Sequence, residues 1–318
     1  MIRYLARRLL QGVFVLLAAF TASFVILYTM PGDPVLLMLG GGNGATLAVP
    51  TQAQIAKIEA EYGFNKPVIV QYFLALGHAL TGNFGSSIQT GQNVTSMLSQ
   101  SFVPTLQLAS LALLLAMALG AGVALAATYT QVRLLQQLLL TLPSIGVSMP
   151  TFWTGLILIQ VFSFHWPVFP ALGNTGLRSL ILPAITLSLP TASVIAQLLA
   201  KSLRTTLAEP YIESARTRGI SRARVLLRHA LRTASIPALT MVGVIIGNLL
   251  AGSVVVETIF SRTGVGRVIF QAVDAEDIPV IQGVVVLSAL IFVVVSLAVD
   301  VLYCWIDPRI AMAGRRAE

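Results

Sequence analysis

The sequence predicts an all-α polytopic membrane protein with six transmembrane helices, both termini cytoplasmic, and a small extracytoplasmic segment between the first two helices. Three observations carry that prediction. The 318 residues are 56% hydrophobic and only 10% charged, against about 25% charged in an ordinary soluble domain. Mean hydropathy is +0.85, which places the chain among membrane proteins. Apolar segments of about 20 residues, enough to cross the hydrocarbon core, recur along the whole sequence.

The first segment, 9–30, follows Arg3, Arg7 and Arg8. It is long for the apolar part of a signal peptide and has no convincing small-x-small cleavage site, so we read it as a retained span. The outer segment, 31–101, comes next. Within it "GGGNG" (40–44) is a flexible loop, "TQAQIAKIEAEYG" a short helix with Thr51 as N-cap and Gly63 as stop, and "KPVIVQYFLALGHAL" an amphipathic helix. "NVT" at 93–95 fits a glycosylation sequon, a pattern common by chance. The second span is 102–127. The third, 134–164, contains Pro143 and Pro150, and the fourth, 180–200, contains Pro183 and Pro190. Prolines are tolerated in spans when neighbouring groups satisfy the freed carbonyls, and they kink helices. The fifth span, 237–256, is opened by Pro237, and the sixth is 279–305.

Orientation follows from the basic residues of the short loops. One side receives Arg3, Arg7, Arg8, Arg133, Lys201, an arginine-rich loop, Arg309, Arg315 and Arg316. The other receives Lys57, Lys66, Arg178, Arg262 and Arg267, together with Asp33, Glu59, Glu61, Asp274, Glu276 and Asp277. The first side is cytoplasmic. The same asymmetry explains a pI near 10.1 without nucleic acid, for which no motif is present.

Several chemistries find no support. A Walker A loop needs lysine after glycine, but Lys57, Lys66 and Lys201 follow Ala56, Asn65 and Ala200. "RTGVGR" (262–267) holds a lone G-x-G and predicts a turn. Ion-coupled carriers place ionisable groups deep in their spans. Here Glu257 closes the fifth span at its outer end, and Asp300 lies toward the cytoplasmic end of the sixth. His78, His165 and His229 fall on different segments and cannot form one metal site. Cys304 is the only cysteine, a small buried side chain in an apolar run. No nucleophile elbow or Ser/His/Asp set appears.

The cytoplasmic loop 201–236 is the most informative stretch. "EPYIESARTRGISRARVLLRHALRTASIP" (209–237) contains Arg216, Arg218, Arg222, Arg224, Arg228 and Arg232, with Arg204 upstream. Pro210 suits the first position of a helix and Gly219 a left-handed stop. Tyr211, Ile212 and Ala215 are assigned to one face. Glu213 and Arg216 stand at i,i+3. A second helix starts at Ser221, a good N-cap, with Ala223, Leu226, Leu227, Ala230 and Ala234 as its apolar stripe. Arg224, Arg228 and Arg232 form a basic stripe able to hold anionic headgroups, each contributing roughly 1 kcal/mol. Small Ser214 and Ala215 beside Glu213 suit close docking of a protein partner.

Glu213-Ser214-Ala215, Gly219 four residues later, and Ile236-Pro237 resemble the "EAA" loop of ABC importer permeases, with Ser214 replacing the middle alanine. "MPGDP" (30–34), "YGFNKPVIVQYFLALGHALTGNFGSSI" (62–88), "ETIFSRTGVGRVIFQAV" (257–273), "DIPVIQG" (277–283) and "VDVLYCWIDPRI" (299–310) extend the resemblance over nearly the whole chain. Together they resemble the B-type permease of the dipeptide/oligopeptide/nickel ABC importers. Asn83 stands where that family often has aspartate.

The resemblance implies a type I ABC importer permease fold and a multi-pass location in the bacterial cytoplasmic (inner) membrane. It divides the chain into a first helix (1–30), an extracytoplasmic segment (31–101), a permease core (102–305) and a cytoplasmic tail (306–318). It implies transport without enzyme activity in this chain and no cofactor here, with ATP-Mg bound by separate ATPase subunits. The implied partners are a second homologous permease, two ATPase subunits, an extracytoplasmic substrate-binding protein and membrane lipids. Tyr211, Ile212, Glu213, Ser214, Ala215 and Gly219 would couple to the ATPase. Asp274, Glu276 and Asp277 face outside, either to meet the binding protein or to be solvated. Asp300 and Tyr303 lie near one face with Asp307, whose Asp307-Pro308-Arg309 run ends the last span. Cargo is short peptides, or in the alternative nickel or a metal–metallophore complex; a stand-alone channel or secondary carrier is the reading from another class.

Overall fold

The computed structural model describes residues 2–29, 52 and 66–306. The segments 30–51 and 53–65, including "MPGDP", "GGGNG" and the expected first outer helix, lie outside the described residues, as do Asp307, Pro308, Arg309, Arg315 and Arg316. Regular structure among the described residues is helical, apart from one isolated bridge between Ser86 and Asn93. The helices, in chain order, are α1 (Ile2–Thr29), α2 (Val68–Leu80), α3 (Val94–Tyr129), α4 (Arg133–Ser148), α5 (Thr151–Ile159), α6 (Arg178–Leu207), α7 (Pro210–Thr217), α8 (Arg222–Arg224), α9 (Leu231–Thr240), α10 (Val242–Ile259), α11 (Val265–Asp274) and α12 (Ile278–Ile306). Two π-helical segments interrupt them, Gln160–His165 after α5 and Val225–Ala230 after α8.

Four stretches are long and apolar enough to cross a membrane: Ala6–Ile26, Val94–Tyr129, Arg178–Leu207 and Ile278–Ala298. Two bent pairs pass the same test together. Arg133–Ser148 with Thr151–His165 turns by 99°, and Arg222–Ala238 with Gly243–Ile259 by 60°. Counting each pair as one span gives up to six, and each of the six apolar segments read from sequence overlaps one of them. The larger bend sits at Met149-Pro150, where proline withholds a backbone donor and its ring crowds the preceding turn. Pro237, assigned by sequence to the start of the fifth span, is instead inside α9. The break comes at Met241, whose amide is bonded to the carbonyl of Ala238, three residues back.

The chain forms two compact units, residues 1–103 with 264–318, and residues 104–263. In the first, α1 packs along α12. The helices come so close that a Cβ added to Gly12 would lie 2.6 Å from Val293 Cγ1, which is how small residues let membrane helices approach. Tyr72 of α2 sets its ring edge-on to Phe20 and Phe24, centroids 5.7 and 5.4 Å away, and its hydroxyl shares a hydrogen bond with Thr21 at 2.8 Å. A second core joins Val94 and Leu98 of α3 to Val265, Ala272, Val280 and Val284.

In the second unit, α6 is buried along most of its length. Along its first two-thirds, Leu182, Leu187 and Ile195 pack with Leu108, Ala112, Leu249 and Phe260. Toward its C-terminal end, Leu199 and Leu203 pack with Ala124, Ile212, Val225 and Leu226.

Candidate functional site

The arginine-rich loop folds into a short helix, a tight turn and a longer broken helix. Pro210 occupies the first turn of α7, where a missing N–H costs nothing. The helix ends in two reciprocal bonds: the Gly219 amide donates to the Arg216 carbonyl at 2.9 Å, and the Ile220 amide to the Ala215 carbonyl at 3.3 Å. That paired closure needs a left-handed residue at its centre, and Gly219 has φ +77°. Ile220 packs onto the core of Leu199, Leu203 and Ile212 beside it.

Burial divides α7 differently from the sequence expectation. Ile212 and Ala215 point into the chain's own core, 0% and 8% exposed. Both were assigned to ATPase coupling; they anchor the helix instead of presenting a free surface. Tyr211, assigned to their face, is 44% exposed. The accessible surface consists of Tyr211, Glu213 and Ser214, continued by Arg216, Arg218 and Gly219. Its centre is small: the Ser214 hydroxyl folds back to donate to the Pro210 carbonyl at 3.2 Å.

The second helix starts with Ser221 in an extended cap conformation but without a side-chain capping bond. Arg224, Arg228 and Arg232 are all exposed. The apolar stripe needs correction: Ala223 and Leu227 are exposed, while Val225, Leu226, Ala230 and Ala234 are buried. The π segment Val225–Ala230 explains this, because its wider turn brings residues five apart onto one face and so pairs Val225 with Ala230. Arg222, outside the stripe, donates to the Thr128 carbonyl at 3.3 Å and lies 5.5 Å from the centre of the Tyr129 ring.

Toward the opposite end of the second unit is a polar cluster the sequence did not announce. Arg262 is 3% exposed. Its Nη1 donates to the carbonyls of Gly173 (3.2 Å) and Ser179 (3.0 Å) and to the Ser179 hydroxyl (3.3 Å). The Ser179 carbonyl is the one left without its helical donor by Pro183, four residues on, so a side chain distant in sequence replaces a backbone bond. Burial pushes the Arg262 guanidinium below its ordinary pKa, and the Glu257 carboxylate pulls it back up. Glu257, 1% exposed, accepts a 2.7 Å bond from the Thr105 hydroxyl. Asn174 and Thr263 pair through backbone and side chain beside them.

The acidic trio also separates. Asp274 and Glu276 are exposed, but Asp277 is 2% exposed. Its Oδ2 accepts from the Ser87 hydroxyl at 2.6 Å and the Gln89 amide at 3.4 Å. Asp277 therefore fastens segment 85–93 to the start of α12 and is unavailable to a binding protein. Asn83 supplies an acceptor to the Gly85 amide at 3.1 Å, a local turn in which aspartate and asparagine are equivalent acceptors. Asn93 bonds the Ser96 amide at 3.2 Å at the start of α3. Among the described residues no group of three His, Cys, Asp or Glu is placed to hold a metal.

Comparison with known proteins matches residues 118–312 to the family described as "Binding-protein-dependent transport system inner membrane component". Residues 1–109 match the N-terminal membrane component of the same systems. The "Glutathione transport system permease protein GsiC" of Salmonella paratyphi A is 36% identical over 310 residues, covering 98% of this chain and 99% of its own. The "Probable peptide ABC transporter permease protein y4tP" of Sinorhizobium fredii is 34% identical over 315 residues, covering 96% and 98%. A crystal structure of an amino acid ABC transporter aligns with a TM-score of 0.48 at 18% identity, over 68% of this chain and 94% of its own.

Proposed function

The chain belongs to the family of binding-protein-dependent transport system inner membrane components, and from that premise we propose that it is the permease through which an ATP-driven importer moves short peptides into the cell. It is a multi-pass cytoplasmic-membrane protein and a transport subunit, not an enzyme. The observation that carries the proposal is α7, an eight-residue helix seated on the chain's own core through Ile212 and Ala215, with Tyr211, Glu213 and Ser214 facing out. A helix so held can receive a push without sliding over its support. The sequence has no Walker A loop, so the push comes from a separate ATPase pair carrying ATP-Mg. A second permease completes the pathway, and a substrate-binding protein delivers cargo from outside.

Short peptides are favoured because the relatives named above are described as peptide and glutathione permeases, glutathione being a tripeptide. The nickel or metallophore alternative differs in what the binding protein captures. Isothermal titration of that binding protein with glutathione, di- and tripeptides and Ni²⁺ chelates separates the two, and tight chelate binding without peptide binding overturns the peptide assignment. For coupling, Gly219→Asp and Glu213→Ala should each abolish uptake and co-purification of the ATPase while the chain still inserts. Wild-type uptake in both variants would refute the docking role of α7.

A further inference from the structure

The C-terminal parts of α3 and α6 and the middle of α4 line a cleft of about 340 Å³. Its walls are apolar, made by Val123, Leu139 and Leu140, and its rim is polar, made by Gln197, Lys201 and Arg204. The three rim residues stand at i, i+4 and i+7 on one face of α6, and all are exposed. Among the described residues no carboxylate is bonded to either cation.

Depth gives the cleft its chemistry. α6 begins at Arg178, which the charges of the short loops assign to the outer side. At 1.5 Å per residue, Lys201 lies about 34 Å further along the helix, just past a hydrocarbon core about 30 Å thick. Ala196, on the wall, is still inside that core. The site is therefore oily within the inner leaflet and doubly cationic where headgroups lie.

We propose that this cleft binds an anionic phospholipid of the inner leaflet, its acyl chain against Val123 and Leu140 and its phosphate between Lys201 and Arg204. A soluble anion would gain nothing from the apolar wall. A zwitterionic lipid would bring an ammonium group to two cations. Basic pockets between membrane helices on the cytoplasmic side take anionic headgroups for this reason. The exposed Arg224, Arg228 and Arg232 stripe is different: it lines no apolar cleft and attracts headgroups in general. The lipid site does not depend on the identity of the cargo.

Native mass spectrometry of the assembled transporter, released from bilayers of phosphatidylcholine and phosphatidylglycerol, tests this directly. Each transporter should retain phosphatidylglycerol in preference to phosphatidylcholine. Lys201→Gln with Arg204→Gln should weaken that preference about thirtyfold, two cations at roughly fivefold each. The charge-keeping pair Lys201→Arg with Arg204→Lys should retain it, and Arg224→Gln with Arg228→Gln should leave the tightly held lipid in place. Equal retention of the two lipids by the wild-type transporter overturns the proposal without any variant. So does displacement of phosphatidylglycerol by glutathione, which would assign the cleft to cargo. Absence of lipid from the assembled transporter, with the second permease cross-linked to Gln197→Cys, would assign the cleft to the partner subunit and overturn it equally.

Discussion

Arg262 shows how one side chain can complete a helix to which it does not belong. Pro183 has no N–H to give the Ser179 carbonyl, and Arg262 supplies the donor from 83 residues away in sequence. Arg262→Met should cost about 1–3 kcal/mol of stability, because the buried Ser179 carbonyl and the part-buried Gly173 carbonyl lose their partner. Pro183→Ala restores the backbone donor, so the two changes should couple by about 0.5–3 kcal/mol. Thermal unfolding of the two single variants and the double variant measures this; simple additivity would remove the link. Asp277 makes the second residue-scale case. Asp277→Asn keeps an acceptor for Ser87, whereas Asp277→Leu does not. Amide hydrogen exchange in 86–93 should accelerate about tenfold in the leucine variant, an opening easier by about 1.4 kcal/mol, and unchanged exchange would contradict the fastening role. The sequence places both residues on the outer side, Asp277 as a binding-protein contact or a solvated group, and does not reveal their burial. Loop arginines and aspartates are ordinarily solvated, and what buries these two is contact between segments far apart in the chain.

At the scale of elements, local rules were sufficient where the bonding is local. Pro210 and Gly219 delimit α7 as their backbone preferences require. Around Gly219 an added Cβ would meet nothing within 4 Å, so a substitution there is penalised through backbone conformation alone. Gly219→Val should lower stability by about 1–2 kcal/mol and Gly219→Asn by less, since asparagine tolerates the left-handed region. Equal melting temperatures for the two variants would argue against this cap. The π segment lay beyond such rules: 3.6-residue periodicity assigned Ala223 and Leu227 to the core and left out Val225. The faces of α7 were equally hidden, because an eight-residue amphipathic helix docks one way on its own chain and another way on a partner, and its sequence is the same in both cases. The prolines marked where α4 and α5 break without fixing the 99° between them.

For the whole molecule, the distribution of lysine and arginine gives a directional prediction. In a Cys304→Ala background, Thr175→Cys should react with an impermeant maleimide added outside intact cells, and Arg218→Cys only after the membrane is opened. Labelling in the reverse pattern would invert the topology. The apolar runs made the helical class legible, since a backbone in lipid must satisfy its own hydrogen bonds; the pairing of runs was not, because one apolar surface suits another nearly as well. The contact of α1 with α12 also sets a schedule for biogenesis. Gly12 leaves the ribosome about 281 residues ahead of Val293, against which it packs. At about 5–20 residues per second the α12-facing side of α1 stays uncovered for tens of seconds, held by lipid or by insertion machinery. A nascent chain that stalls before α12 therefore presents a half-covered α1 to membrane proteases, which makes the arrival of α12 the step that closes this face.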